Sequence, residues 1–221
     1  MPPEILINHN ETAPKRERRK EARPGELLDA ALDLFVEKGF SAARVDEVAA
    51  RAGVSKGTLF LYFESKEDLF KAVVRENIAK KFPTWEEEFL TFEGSSADML
   101  RYALVSWWER IGKTRASGIT KLVMSEAQNF PEIAAFYQEE VIKPGNAMIG
   151  RILKRGVQSG EFRDIDLEQA VHIIVAPMIF LMMWKHSMGA CAASAKIVDP
   201  EQFIHMQVDV LLHGMTAKKT T

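Results

Sequence analysis

Apolar positions recur at helical spacing from about residue 24 onward. Leu27, Leu28, Ala31, Leu34 and Phe35 make one stripe. Pro24 suits the first turn of that helix and Gly39 its stop. Val45, Val48, Ala49 and Ala52 then fall at i, i+3, i+4 and i+7, a short amphipathic helix. Gly53 permits the positive φ of a tight turn. Ser55 can cap a very short helix over about 56–62 by accepting from the backbone N–H near Thr58. Ser65, followed three residues on by Asp68, opens a fourth helix. Leu69, Phe70, Val73, Val74 and Ile78 carry it to about Lys81.

Beyond Phe82 the apolar-periodic segments lengthen and the breaks weaken. Helices are expected near 83–92, 96–111, 116–128, 131–159, 166–188 and 200–215. No alternating strand pattern bounded by hairpin turns appears, and no fixed repeat. The pattern therefore predicts an all-α chain in three parts: a tail over 1–20, a small helical unit over 21–81 and a larger one over 82–221. Ile173 to Trp184 is the longest apolar run, at 12 residues. That falls short of the roughly 18 expected of a membrane span. Pro177 interrupts it, so the run reads as a buried, bent helix and no membrane partner is expected.

Composition narrows the picture. A chain of 221 residues with a formal charge of −2 is no polycation, so nucleic-acid affinity requires a local patch. One candidate is 14–23, where Lys15, Arg16, Arg18, Arg19, Lys20 and Arg23 outnumber Glu17 and Glu21. On composition alone this is as well a solvated extension. The start, Met1 to Thr12, has the form of neither a signal nor a clean helix. Cys191 is the only cysteine, so no intrachain disulfide or zinc cage is expected. It reads as a small packed residue, and a reducing cytoplasm fits.

The stretch 44–63, RVDEVAARAGVSKGTLFLYF, carries the most information. Two short helices joined through Gly53 must cross steeply, with Val45, Val48, Ala49, Val54, Leu59 and Phe63 closing a small core. Ser55, Lys56, Gly57, Thr58, Leu61 and Tyr62 are left on a free face. Low bulk in the first turn suits entry into a major groove. Gly57 allows close backbone approach, and Lys56 and Thr58 can donate to base edges or phosphates. The Tyr62 hydroxyl can reach a phosphate. Lys66 adds its charge to the start of the fourth helix, a suitable phosphate site. Spacing alone leaves open a purely structural helical hairpin.

Residues 52–69, AGVSKGTLFLYFESKEDL, resemble the signature of tetracycline-repressor (TetR) type transcriptional regulators, and Ala30 to Phe35 with Gly39-Phe40 resemble that family's first helix. The resemblance covers about 21–81 and implies a three-helix DNA-binding unit. Lys56, Thr58 and Tyr62 would face DNA, with Tyr62 and Lys66 on phosphates. Arg44 stands where the family often has a capping threonine. It cannot cap in that way but can hold a phosphate by charge. Phe60 stands where tyrosine is common. The resemblance also implies that Arg16, Arg18 and Arg19 approach the minor groove or phosphates.

For 82–221 the resemblance implies an effector-binding and dimerisation domain, with no membrane role. Phe89, Trp107, Trp108, Met124, Phe136, Tyr137, Met148, His172 and Met182 are the pocket candidates. Aromatic and methionine residues at this spacing serve a core as readily as a pocket, and lone histidines such as His172 and His186 are as readily hydrogen-bonded packing. Ile174, Met178, Leu181, Phe203, Val210 and Leu211 are the dimer candidates, against an alternative of monomer core. No phosphate-binding glycine loop, nucleophile elbow or metal-ligand spacing is present. No catalytic residue, metal or cofactor is therefore expected. The expected function is a cytoplasmic, homodimeric repressor that a small apolar effector releases from a palindromic double-stranded DNA operator. An activator or ligand-independent regulator of the same fold stays open, and so, more remotely, does an enzyme using the apolar domain.

Overall fold

A computed structural model describes residues 24–191 and 198–216. Every regular element among them is helical. In chain order they are α1 (Pro24–Ala42), α2 (Val45–Arg51), α3 (Lys56–Phe60), α4 (Lys66–Asn77), α5 (Phe82–Leu90), α6 (Ser96–Trp107), α7 (Ser117–Glu126), α8 (Pro131–Tyr137), α9 (Lys143–Gln158), α10 (Leu167–Lys185) and α11 (Pro200–Met215). The all-α expectation holds.

Local chemistry sets most boundaries. Ser65 Oγ accepts from the Asp68 N–H at 3.0 Å. The Asp68 carboxylate returns to the Glu64 N–H at 3.2 Å, one residue outside the usual partner of a capping box. Ser95, Asp166 and Asp199 cap α6, α10 and α11 in the same manner. Gly39 interrupts α1 with φ 81°, which only glycine adopts without strain, and Phe40 then turns back into the core.

The expected helix over 131–159 is divided. The Lys143 N–H reaches back to the Gln138 carbonyl, giving a π-helical turn over Gln138–Ile142. Pro144, with no N–H to give, follows at once, so the ordinary ladder cannot run through this point. A second π-helical turn, Trp108–Gly112, ends α6, where the Lys113 N–H meets the Trp108 carbonyl at 2.8 Å.

Two apolar clusters hold the molecule together. In the first, the rings of Phe35, Phe40 and Phe70 pack with centroids 5.4–5.7 Å apart, and Phe130 closes on Phe40 at 4.8 Å. This cluster joins α1–α4 to Ile119, Leu122 and Ile133 of the larger part, so packing continues across residue 82. The second cluster joins α6, α9, α10 and α11. Residues Leu167–Ala190 are long and apolar enough, by length and composition, to cross a membrane. Yet Val171, Ile174, Met178, Leu181 and Met182 are buried in the protein's own core. Inside α10, the Gln207 side-chain amide donates to the Ile174 carbonyl at 2.8 Å, beside Pro177. Cys191 is exposed, which corrects the packed reading: it lies beyond the short 3₁₀ turn Met188–Ala190, clear of both clusters.

Candidate DNA-reading head and effector cavity

The head is built on α2 and α3. Arg51 fixes α2 to α1 through paired bonds to Glu37 at 2.8 and 2.7 Å, and Lys38 reaches Glu47 at 2.8 Å. The Ser55 hydroxyl caps α3, accepting from the Thr58 N–H at 3.0 Å, and its oxygen lies 2.8 Å from the Thr58 hydroxyl. Leu59 is wholly buried under α3, while Lys56 and Gly57 face solvent. A Cβ on Gly57 would meet nothing nearer than Ser55 Oγ at 3.7 Å, so no internal packing requires glycine there. Phe60 and Tyr62 are exposed, and Leu61 is 83% exposed. The Lys56 ammonium stands 5.8 Å from the Phe60 ring centroid.

Arg44 has extended backbone at the N-cap of α2 and makes no side-chain cap, as its chemistry requires. Its guanidinium instead bonds Asp46 at 3.1 and 3.3 Å and holds that carboxyl below the usual carboxylate range. An ion pair this exposed is screened by solvent and contributes little to stability, so a phosphate can displace it.

Beyond α4, whose C-cap residue Ile78 forms part of its wall, lies an apolar cavity of about 380 Å³. It falls within the ~300–1,000 Å³ range of small-molecule sites. Among the described residues, no Asp, Glu, Lys or Arg lines it. Its deep polar groups are the Thr120 and Tyr137 hydroxyls, 2.9 Å apart and paired with each other. Burial pushes the Tyr137 phenol up to about 12 against the opposing effect of the Thr120 bond, so it stays protonated. Exposed lining residues Met124, Ile142 and His172 mark the mouth.

Comparison with known proteins now decides the family. The model described as bacterial regulatory proteins, tetR family, matches residues 27–73. The tetracyclin repressor-like C-terminal domain model matches residues 93–216, more than half of the chain. The chain belongs to the TetR family.

TetR-family relatives span most of its length. The transcriptional repressor KstR2 of Mycolicibacterium smegmatis is 26% identical over 206 residues, covering 92% of this chain and 96% of the relative. A fatty acid metabolism regulator protein of Bacillus subtilis is 26% identical over 159 residues, 70% of this chain and 80% of the relative. In structure, the chain resembles FadR from Bacillus subtilis in complex with stearoyl-CoA, with a TM-score of 0.63 and 20% identity. That match covers 87% of this chain and 99% of the other. The chain is a DNA-binding transcriptional regulator.

For a TetR-family chain, the sequence-derived sites fall unevenly. On the head, Arg44, Ser55, Lys56, Gly57, Thr58 and Tyr62 share the region of α2 and α3. Lys66 is a correction. Its ammonium donates to the carbonyls of Phe40, Ser41 and Ala43 at 2.9, 3.2 and 3.3 Å and sits 4.6 Å from the Phe40 ring centroid. The kink at Gly39 leaves these carbonyls without helical donors, and Lys66 satisfies them. An ammonium has three protons, so Lys66 has none left for a phosphate. Arg16, Arg18 and Arg19 lie outside the described residues.

At the cavity, Phe89, Trp107, Met124 and Tyr137 are lining residues, as are Met148, His172 and Met182. Trp108 and Phe136 are corrections. Trp108 is turned into the second core cluster by the π-helical turn it begins. Phe136 faces α4, with Lys71 and Arg75 over its ring. Ile78, Phe82, Trp85 and Asn146 line the cavity without having been expected. Their apolar spacing marked helix faces, but nothing local distinguishes a core face from a cavity face.

The dimer candidates Ile174, Met178 and Leu181 are corrected as well. They are 1%, 3% and 2% exposed, packed against the chain's own α6, α9 and α11. Phe203 and Leu211 are half-buried and Val210 is exposed. Ile173, Phe180 and Met206 are exposed as well, and Ile173 lines one surface groove with Val210. Because α10 is apolar all round, periodicity could not say which of its faces was covered.

His186 lies outside the cavity, with Nε2 2.8 Å from Ser117 Oγ. Burial, then Lys185 and Lys121 nearby, lowers its pKa to about 4. Lys185 donates to the carbonyls of Gly112 and Thr114 at 3.0 and 2.9 Å, tying the end of α10 to the start of α7. Burial lowers its pKa too.

Proposed function

We propose that this chain is a homodimeric, cytoplasmic repressor, not an enzyme, that binds a palindromic operator through α3 and leaves it when an amphiphile with an apolar tail fills the cavity. The observation that carries the reading is a cavity lined, among the described residues, by no Asp, Glu, Lys or Arg and reached by the head through Ile78 at the end of α4, in a chain whose α3 keeps its polar face open to solvent. Such a wall accepts a hydrocarbon body and leaves a polar head at the mouth near His172 and Asn146. The FadR likeness, solved with stearoyl-CoA, supports a long acyl chain as the first effector to try. KstR2, named as a repressor, supports repression.

One α3 reads few base pairs, so two copies with matched half-sites are required for specificity. The exposed apolar residues Ile173, Phe180, Met206 and Val210 on α10 and α11 are the proposed pairing face, in place of the buried candidates. On the head, Lys56 and Thr58 read base edges and Tyr62 and Arg44 hold phosphates, and the charge of Arg16, Arg18 and Arg19 adds to the attraction for DNA.

The test is selection of bound duplexes from a random pool, followed by gel shifts with and without stearoyl-CoA. A palindromic duplex, bound by a dimer and released by stearoyl-CoA, is the expected result. Selection of no sequence would overturn the operator reading. Specific binding that acyl-CoAs and free fatty acids leave unchanged would overturn the effector class. Loss of reporter expression on deleting the gene would make it an activator.

A further inference from the structure

The head meets the rest of the chain at two joints of different character. The joint between α1 and α7 is tight. A Cβ on Gly118 would come within 2.6 and 2.8 Å of the Val36 methyl carbons, so the helices touch where only glycine fits. Arg115 pairs with Asp33 at one end of α7, and Glu126 accepts from the Ser41 N–H at 3.2 Å at the other. The joint leaves no slack for sliding.

The joint between α4 and the α8 region is made by side chains that grip. The Arg75 guanidinium lies 4.9 Å from the Phe136 ring centroid and bonds Glu140 at 2.8 and 3.3 Å. Lys71 stands over the same ring at 5.7 Å. Phe136 and Glu140 are four residues apart on one face. The residues that follow each of them, Tyr137 and Val141, line the cavity. Each residue held by Arg75 is thus covalently next to one that a ligand touches. The π-helical turn Gln138–Ile142 lies within this segment, and such turns occur frequently at functional sites. Ile78, at the C-cap of α4, is itself a wall of the cavity.

We infer that Arg75 is the positioning residue that couples cavity occupation to operator binding, through its grip on Phe136 and Glu140, with the α1–α7 joint as pivot. The inference rests on the effector-responsive reading above and assigns it a route. Filling the cavity displaces Tyr137 and Val141, the same backbone carries Phe136 and Glu140, and α4 follows through Arg75. Couplings between sites are commonly about 5–150-fold, a size that one cation–π contact with one ion pair can carry.

The test needs no known effector, because the cavity can be filled from within. A Cβ on Gly145, a lining residue of α9, would meet nothing nearer than the Phe82 ring at 3.9 Å. Gly145→Leu therefore places a side chain where a ligand would sit. The full chain is compared as wild type, Gly145→Leu, Arg75→Ala and the double variant. One readout is affinity for the selected duplex; the other, which needs no DNA, is amide exchange over residues 66–78.

Gly145→Leu is expected to weaken duplex binding about tenfold in the wild-type background and less than about twofold with Arg75→Ala. It should alter exchange over 66–78 only where Arg75 is present. Arg75→Ala alone should bind the duplex, and an apolar dye such as anilinonaphthalene sulfonate in the cavity, as wild type does. An equal effect of Gly145→Leu in both backgrounds would overturn the inference. So would no effect of Gly145→Leu on either readout. Should no duplex bind any variant, the operator reading fails, and the exchange comparison still decides the role of Arg75. Ala103→Leu, at another lining position, replaces Gly145→Leu if that variant does not fold.

Discussion

The head and the cavity are opposite kinds of construction. The reading surface comes from one short run of chain, 44–62, whose caps, turn and free face are all local. The cavity wall draws on residues from Ile78 to Met182, carried by the end of α4, by α5 to α10 and by the two π-helical turns. A surface made from one run has a sequence signature, because turn, cap and contact residues must keep their spacing. A wall assembled from many helices has none, because each helix contributes positions that look like ordinary core. Changes to the wall can therefore be made without replacing any residue of the reading surface.

The largest test of this division is a cut through what the two regions share. Phe40→Ala removes a ring that packs on Phe35, Phe70 and Phe130 together. It is expected to cost about 3–5 kcal/mol in urea unfolding. The first core cluster spans both regions, so one transition should shift as a whole. A separate early transition of the head would show that the regions fold independently.

Lys66→Met comes next and separates structure from recognition. It should lower stability by about 2 kcal/mol, since carbonyls at the Gly39 kink lose a charged donor. The salt dependence of operator binding should keep its slope. A slope reduced by about one unit would return Lys66 to the phosphate contacts.

Tyr62→Ala should weaken binding to every operator variant similarly, by about tenfold, while shifting the unfolding midpoint little, because the residue is 44% exposed. Lys56→Ala should also alter the preferred sequence. Gel shifts on single-base variants of the selected duplex measure both. Unchanged affinity in Tyr62→Ala would contradict the docking pose.

The smallest effect concerns acid. The pKa of His186 is about 4 in the folded chain, below its ordinary value of about 6.5. Between those values the unfolded chain binds a proton that the folded chain refuses. The stabilisation is full above about pH 6.5 and is lost as pH falls toward 4. The ring is only half-buried, so solvent screening keeps the effect small. His186→Gln should flatten the fall in melting temperature between pH 6.5 and 4.5. An unaltered fall would assign it to carboxylates.

Particular residues show what was legible. Ser55, Gly53 and Ser65 announce their roles, because a cap or a positive φ needs its residue type at one place. All helices were visible as periodicity, but the break at 138–142 depends on Pro144 acting inside an otherwise helical run. Lys66 deceived for a physical reason. A lysine at a helix start looks like a phosphate site until the Gly39 kink, 27 positions earlier, places bare carbonyls beside it. Ile174 and Leu181 could not be told from Ile173 and Phe180 by composition, since only the packing of α6, α9 and α11 decides which side of α10 is covered.

The Thr120–Tyr137 pair has a thermodynamic consequence for signalling. Two hydroxyls hold two protons and share one bond, so a single O–H of the pair is left over. On the proposed reading, a guest with an apolar tail gains at most that one bond at depth, and the rest of its binding energy comes from the hydrocarbon it hides. Each added methylene that fits is worth about 0.8 kcal/mol, close to fourfold in affinity, until the space runs out. On that reading the cavity works as a ruler, reporting how long a chain is before it reports what the chain carries.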